Sequence, residues 1–214
     1  MILKFTKLWR HQKLTQNQIS ASFARQFHHL EVIKVPLIDY VSERPDIGWS
    51  KLNFDGFVKH KSGLGSIGGV VRNHKGDFLL GYSEPIGKTT STIPEITSLG
   101  RGLDLALENG LYNVWFEGDE KRLLEIIANQ IPVGPVEIQR RVKIINSILP
   151  EFNNYKMTHI YKQGNTTADA FAKMDHRLNK PCIWRVRPPK EVLRLVQNDA
   201  DGKIYRRTIR TRSN

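Results

Sequence analysis

Apolar and polar positions alternate with a period of two in some stretches of the chain and take helical spacing in others. The run Lys51-Leu-Asn-Phe-Asp-Gly-Phe-Val58 alternates as a strand, with Leu52, Phe54 and Val58 set against polar neighbours. Gly63–Arg72 reads as a glycine-rich turn leading into a second strand. After the turn signal Asn73-His-Lys-Gly76, Asp77–Tyr82 reads as a third. Ser83–Thr92 is polar and turn-like. Ile93–Gly110 then opens a helix, with Pro94 in its first turn, an apolar stripe of Ile96, Leu99, Leu103 and Ala106, and the stop signal Asn109-Gly110. Asn113–Asp119 is a short strand that gives way to a helix containing Leu123, Leu124 and Ile127. Beyond the break Pro132–Pro135, Ile138, Val142, Ile145 and Leu149 line a second helix whose outer face shows Gln139, Arg140 and Lys143. Tyr155–Tyr161 alternates as a strand, 162–168 is a polar loop, and Asp169–Leu178 is a final helix. The order predicts an α/β domain with a mixed five-stranded sheet: a three-strand meander, then strands delivered by helical crossovers.

Four acids fall where these elements change. Asp55 interrupts the first strand, Glu95 starts the first helix, Asp119 ends the fourth strand and Asp169 opens the last helix. Each has an ordinary structural explanation: a turn cap for Asp55, a helix-dipole partner for Glu95, an N-cap for Asp119. As a set they are more specific. If the first and fourth strands are neighbours, the carboxylates converge and repel, and a divalent cation relieves the conflict. An all-oxygen set without His or Cys favours Mg²⁺ or Mn²⁺, and a four-carboxylate site can hold two ions about 4 Å apart, the arrangement that serves phosphodiester cleavage.

Charge sharpens the expectation. The net charge is +12, but residues 49–175 carry 15 Lys/Arg against 14 Asp/Glu, whereas residues 176–214 carry 11 against three. A basic extension on a neutral domain points to nucleic acid as partner. Residues 1–30 contain no Asp or Glu and interleave Lys4, Lys7, Arg10, Lys13 and Arg25 with apolar residues. That composition suits an organelle transit segment, a linker or a surface helix, and lacks the long apolar run of a secretory signal. One cysteine, Cys182, excludes an internal disulfide framework and suits a reducing, intracellular setting. No run of about 18 apolar residues is present to span a membrane.

The words Lys51-Leu-Asn-Phe-Asp-Gly56, Gly68-Gly-Val-Val-Arg72, the Glu95 helix with Gly102-Leu and Leu105-Ala, Glu117-Gly-Asp119, and His159-Ile-Tyr-Lys-Gln-Gly-Asn165 leading to Ala168-Asp-Ala-Phe-Ala172 resemble the ribonuclease H type 1 domain. They resemble most closely its plant reverse-transcriptase-like version, found in non-LTR retroelements and host proteins derived from them. The resemblance covers about 50–176 and implies a ribonuclease H-like fold at 49–178. Residues 1–48 become an N-terminal extension and 179–214 a basic tail. It implies metal-dependent endonucleolytic cleavage of the RNA strand of RNA–DNA hybrids by a monomer, with Asp55, Glu95, Asp119 and Asp169 holding two Mg²⁺ or Mn²⁺ ions. Two rivals stand beside it: a non-catalytic nucleic-acid-binding relic of a retroelement, and a 3′–5′ exonuclease on a related fold. The exonuclease ranks low because Asp55-Gly-Phe57 lacks the second acid of an Asp-x-Glu strand. The loop 162–168 lacks the histidine that cellular members of the family often carry there. His159 falls within a strand, where it is expected to pack or solvate.

Overall fold

The computed structural model describes residues 37–90, 92–178 and 180–208. The acid-free stretch 1–30, and with it any targeting role, lies outside the described residues. Residues 40–205 form one compact unit. The described residues 37–39 and 206–208 belong to a second unit.

Strands β1 (Leu37–Val41) and β8 (Ile204–Thr208) form a separate two-stranded ribbon. The main sheet contains β2 (Ser50–Val58), β3 (Leu64–Arg72), β4 (Phe78–Lys88), β5 (Asn113–Gly118), β6 (Asn154–His159) and β7 (Cys182–Trp184), in the spatial order β6-β5-β2-β3-β4-β7. The meander β2-β3-β4 is antiparallel, β7 adds antiparallel to β4, and β5 and β6 run parallel to β2. The helices are α1 (Thr92–Glu108), α2 (Lys121–Asn129), α3 (Val136–Ile148), α4 (Thr166–Leu178) and α5 (Lys190–Ala200).

The period-two pattern assigns the two faces of the sheet. Leu52, Phe54, Ile67, Val71, Leu80 and Tyr82 point to one side and pack against Ile96, Leu99, Leu103 and Ala106 of α1, backed by α2 and α3. Each such side chain removed from water contributes about 1.5–3 kcal/mol, so this face dominates the stability of the unit. The opposite face is covered by a smaller cluster of Val70, Phe171, Met174 and Val192, drawn from β3, α4 and α5. On α3 the anticipated inner positions Val142, Ile145 and Leu149 are buried, and Gln139, Arg140 and Lys143 are exposed.

Two features differ from the expectation. The sheet has six strands, because Cys182–Trp184 pairs with Gly81–Ser83. β4 runs on to Lys88 through a stretch that looked turn-like. Its polar composition is misleading, because β3 supplies a hydrogen-bonding partner along its length and Ser83 is fully buried. Within the unit 40–205, Val192 and Val196 give α5 an apolar side of its own.

Candidate active site

The site begins with the register of two parallel strands. Ser50–Asn53 of β2 pairs with Val114–Glu117 of β5, so the carboxyl ends of both strands lie side by side. Asp55 lies within β2, two residues past the last one paired with β5, and Asp119 follows the last residue of β5. Asp119 is not a helix cap: the N-cap position of α2 belongs to Glu120, which makes no side-chain capping bond.

Two glycines bring helices onto this edge. A Cβ on Gly56 would lie 2.4 Å from the Glu95 nitrogen, and one on Gly68 would lie 2.1 Å from the Ala172 nitrogen. Both are far inside contact distance. Only glycine therefore lets the start of α1 close on β2, or α4 close on β3. The first approach delivers Glu95. Oxygens of Asp55, Glu95 and Asp119 all lie within 4.8 Å of one another. Asp169, in the first turn of α4, is outside that group of three. Its carboxylate is 2.6 Å from Lys173 Nζ and 3.6 Å from Lys162 Nζ.

The electrostatics are those of a crowded, desolvated acid cluster. Asp55 is 1% exposed. Burial first, then the charges of Asp119 and Asp169, raise its carboxyl to about 7. Burial, followed by the charges of Asp55 and Asp119, raises Glu95 to about 10. Both shifts disfavour the ionised forms, as expected for neighbouring buried carboxylates without a cation between them. No amide, hydroxyl or basic group reaches within hydrogen-bond distance of the buried Asp55 Oδ2, Glu95 Oε2 and Asp169 Oδ1, and the carboxyls of Asp55 and Glu95 lie within hydrogen-bond reach of each other. Unsatisfied buried oxygens of this kind are costly. Hard anionic oxygens converging on one point fit a divalent cation of the Mg²⁺ or Mn²⁺ type.

His159 ends β6 with its Nε2 3.2 Å from the Asp119 carbonyl oxygen and its ring edge-on to Tyr161. Burial lowers its pKa. Of the basic residues on α3, Arg141 is held by Glu137 and by Thr97 of α1, while Arg140 and Lys143 are exposed.

Sequence reasoning missed the residues that hold the site up. Asn53 Nδ2 donates to Glu117 Oε2 at 3.1 Å and to Asn165 Oδ1 at 3.4 Å. Asn165 Nδ2 donates to the Phe54 carbonyl at 2.9 Å. Lys51, 1% exposed, pairs with Glu117 at 2.6 Å, and Arg72 pairs with Asp199 at 2.6 Å. The available signal was the period of two: Lys51, Asn53 and Asp55 alternate with Leu52 and Phe54, so they share the face opposite the main core.

Comparison with known proteins agrees with this fold. The reverse transcriptase-like family model matches residues 53–175. A protein of Arabidopsis thaliana named "Putative ribonuclease H protein" is 27% identical over 177 residues. These are 81% of this chain, but the chain spans only 28% of that relative's length. Among solved structures, RNase H1 from the halophilic archaeon Halobacterium salinarum superposes with a TM-score of 0.58 at 21% identity, covering 60% of this chain and 98% of the other. LC11-RNase H1, crystallised in complex with an RNA/DNA hybrid, gives a TM-score of 0.54 at 25% identity over 60% of this chain and 99% of the other. With more than half of its residues inside the family match, all three clustered acids among them, this chain belongs to the reverse transcriptase-like family and carries a ribonuclease H domain of the plant type.

Proposed function

We propose that this protein is a metal-dependent endonuclease that cleaves the RNA strand of RNA–DNA hybrids, with Asp55, Glu95, Asp119 and Asp169 as the residues that hold the metal. The observation that carries the proposal is the convergence of Asp55, Glu95 and Asp119 within 4.8 Å, with no basic or hydroxyl donor to Asp55 Oδ2 or Glu95 Oε2. Crowding these carboxyls costs the fold free energy, and a divalent cation relieves it. The ribonuclease H name of the Arabidopsis relative and the hybrid bound by LC11-RNase H1 support the choice of substrate.

When bound, one or two Mg²⁺ or Mn²⁺ ions supply the positive charge that neutralises the carboxylates and polarises the phosphate and the attacking water. The chain's own residues do the rest. Asp55 and Asp119 stand on adjacent strands and form a rigid floor. Glu95, pressed against Gly56, offers an acceptor that can hydrogen-bond a ribose 2′-OH, which would demand RNA at the cut. Asp169 sits at the more open side, 19% exposed, where water can reach it. The basic residues after 178 would add salt-sensitive, sequence-independent phosphate binding. In this reading 49–178 forms the catalytic region, flanked by the extension 1–48 and the basic stretch 179–214, and the protein acts as a monomer.

The test is cleavage of an end-labelled RNA–DNA hybrid in Mg²⁺ or Mn²⁺, comparing the wild type with Asp55→Asn. Internal cuts in the RNA strand, absent in the variant, are the expected result. A folded wild type that binds the hybrid without cutting it in either metal would make the protein a binding module instead.

A further inference from the structure

The helix α5 lies beyond the family match, yet it ends in a buried acid tied to the candidate site. Asp199 is 3% exposed. Its Oδ2 accepts hydrogen bonds from Arg72 Nη1 at 2.6 Å and Thr167 Oγ1 at 2.7 Å, and its Oδ1 accepts one from Tyr205 OH at 2.9 Å. Thr167 is the second residue of α4, and Asp169 follows two positions later in the same turn. A second route leads to the same turn. The other arm of Arg72 donates to Asn53 Oδ1, and Asn53 Nδ2 donates to Asn165 Oδ1 at 3.4 Å. Asn165 immediately precedes α4, and its Nδ2 donates to the carbonyl of Phe54, the neighbour of Asp55.

We propose that Asp199 is a positioning residue for the metal site, acting on Asp169 through Thr167 directly and through Arg72, Asn53 and Asn165 indirectly. The inference rests on the metal-site reading given above. The side-chain partners of Asp169 are Lys162 and Lys173, which are long and largely exposed and do not set where the helix begins. Asp199 is short, buried and held by three donors, all on other elements (β3, α4 and β8), so it can transmit position. A helix start moved by half an ångström leaves Asp169 in place chemically but misplaced for a shared ligand.

The experiment uses the full chain and measures Mn²⁺ binding by calorimetry without nucleic acid, together with the Mg²⁺ dependence and KM of hybrid cleavage. Thr167→Val removes only the hydroxyl that joins Asp199 to α4 and keeps every charge, and Thr167→Ser restores the donor. Thr167→Val is expected to weaken Mn²⁺ binding about tenfold, the scale of an outer-sphere substitution. It should raise the Mg²⁺ needed for half-maximal rate by a similar factor and leave KM for the hybrid unchanged. Thr167→Ser should stay within about twofold of wild type. Asp199→Asn should lose at least as much as Thr167→Val, and if it fails to fold, the threonine pair still carries the test. A Thr167→Val protein with wild-type near-ultraviolet circular dichroism and wild-type Mn²⁺ affinity overturns the proposal alone. A wild type whose Mn²⁺ binding is absent, or survives Asp55→Asn, overturns the metal reading and this proposal with it.

Discussion

Two groups of charges lie along β2, and they are built on opposite rules. Past the stretch paired with β5, buried Asp55 and half-buried Glu95 and Asp119 crowd together, and no amide, hydroxyl or basic donor answers Asp55 Oδ2 or Glu95 Oε2. Toward the amino end of β2, every charge is answered. Glu117 receives Lys51, Asn53 and Thr158, and Asp199 receives Arg72, Thr167 and Tyr205. Lys51 lies 3.9 Å from the centre of the Trp115 ring, which faces Lys156 at the same distance. Asp55 is as buried as Glu117 and Asp199, so burial does not separate the two groups. Satisfaction does: one network is balanced within the fold, and the other is left unbalanced.

The contrast can be broken at either end. The largest expected effect is on catalysis. Asp119→Asn should reduce hybrid cleavage by about 10³-fold or more, equivalent to some 4 kcal/mol of barrier, without lowering the melting temperature. An equal loss of rate and stability would mean that Asp119 belongs to the balanced kind. Whereas Asp119→Asn should spare stability, Arg72→Met should act on it first. It leaves Asp199 buried and uncompensated and should cost about 3–5 kcal/mol in urea unfolding.

The pH dependence of the metal-free protein gives a third test. The folded carboxyl of Asp55 titrates near 7, above its ordinary range near 4, and that of Glu95 near 10. Between the unfolded and folded values the folded state holds more protons. Its stability is therefore complete only below about pH 4 and falls as pH rises, through 7 for Asp55 and through 10 for Glu95. In EDTA, Asp55→Asn should match the wild type near pH 4 and exceed it near pH 8 by on the order of 4 kcal/mol. Added Mg²⁺ should close the gap by stabilising the wild type alone. A wild type whose metal-free stability does not fall between pH 5 and 8 would sink this account of the cluster.

The smallest effect comes from Gly56→Ala, where the new methyl meets the start of α1. Overpacking there should cost about 1–3 kcal/mol, with a loss of metal affinity larger than the stability change accounts for. Equal affinity would mean that Glu95 does not depend on that close approach.

Much of this was legible locally. The strands and helices around Asp55, Glu95, Asp119 and Asp169 announce themselves because each has a clear period and each acid stands where the period changes. The buried faces of α1 and α3 follow from spacing in the same way. The supporting network was not legible. Counting charge in 179–214 shows a basic stretch, and nothing in that count reveals that Asp199 is buried against Arg72. Lys51 and Glu117 look like ordinary surface residues of two strands until those strands pair in one register. Cys182–Trp184 is too short for any pattern, and Ser83–Lys88 is too polar to look like the strand it forms.

Element type and order are properties of a few neighbouring residues, so the alternation of apolar and polar positions sufficed to identify the fold class and to single out four acids. Which acids meet, and which charges are neutralised instead, depends on approaches across the chain. Gly56 must admit α1, Gly68 must admit α4, and α5 must return to set Asp199 beside Arg72 and Thr167. Those distances arise from packing between segments far apart in sequence, and they divide the charges into those answered inside the fold and those left without a donor.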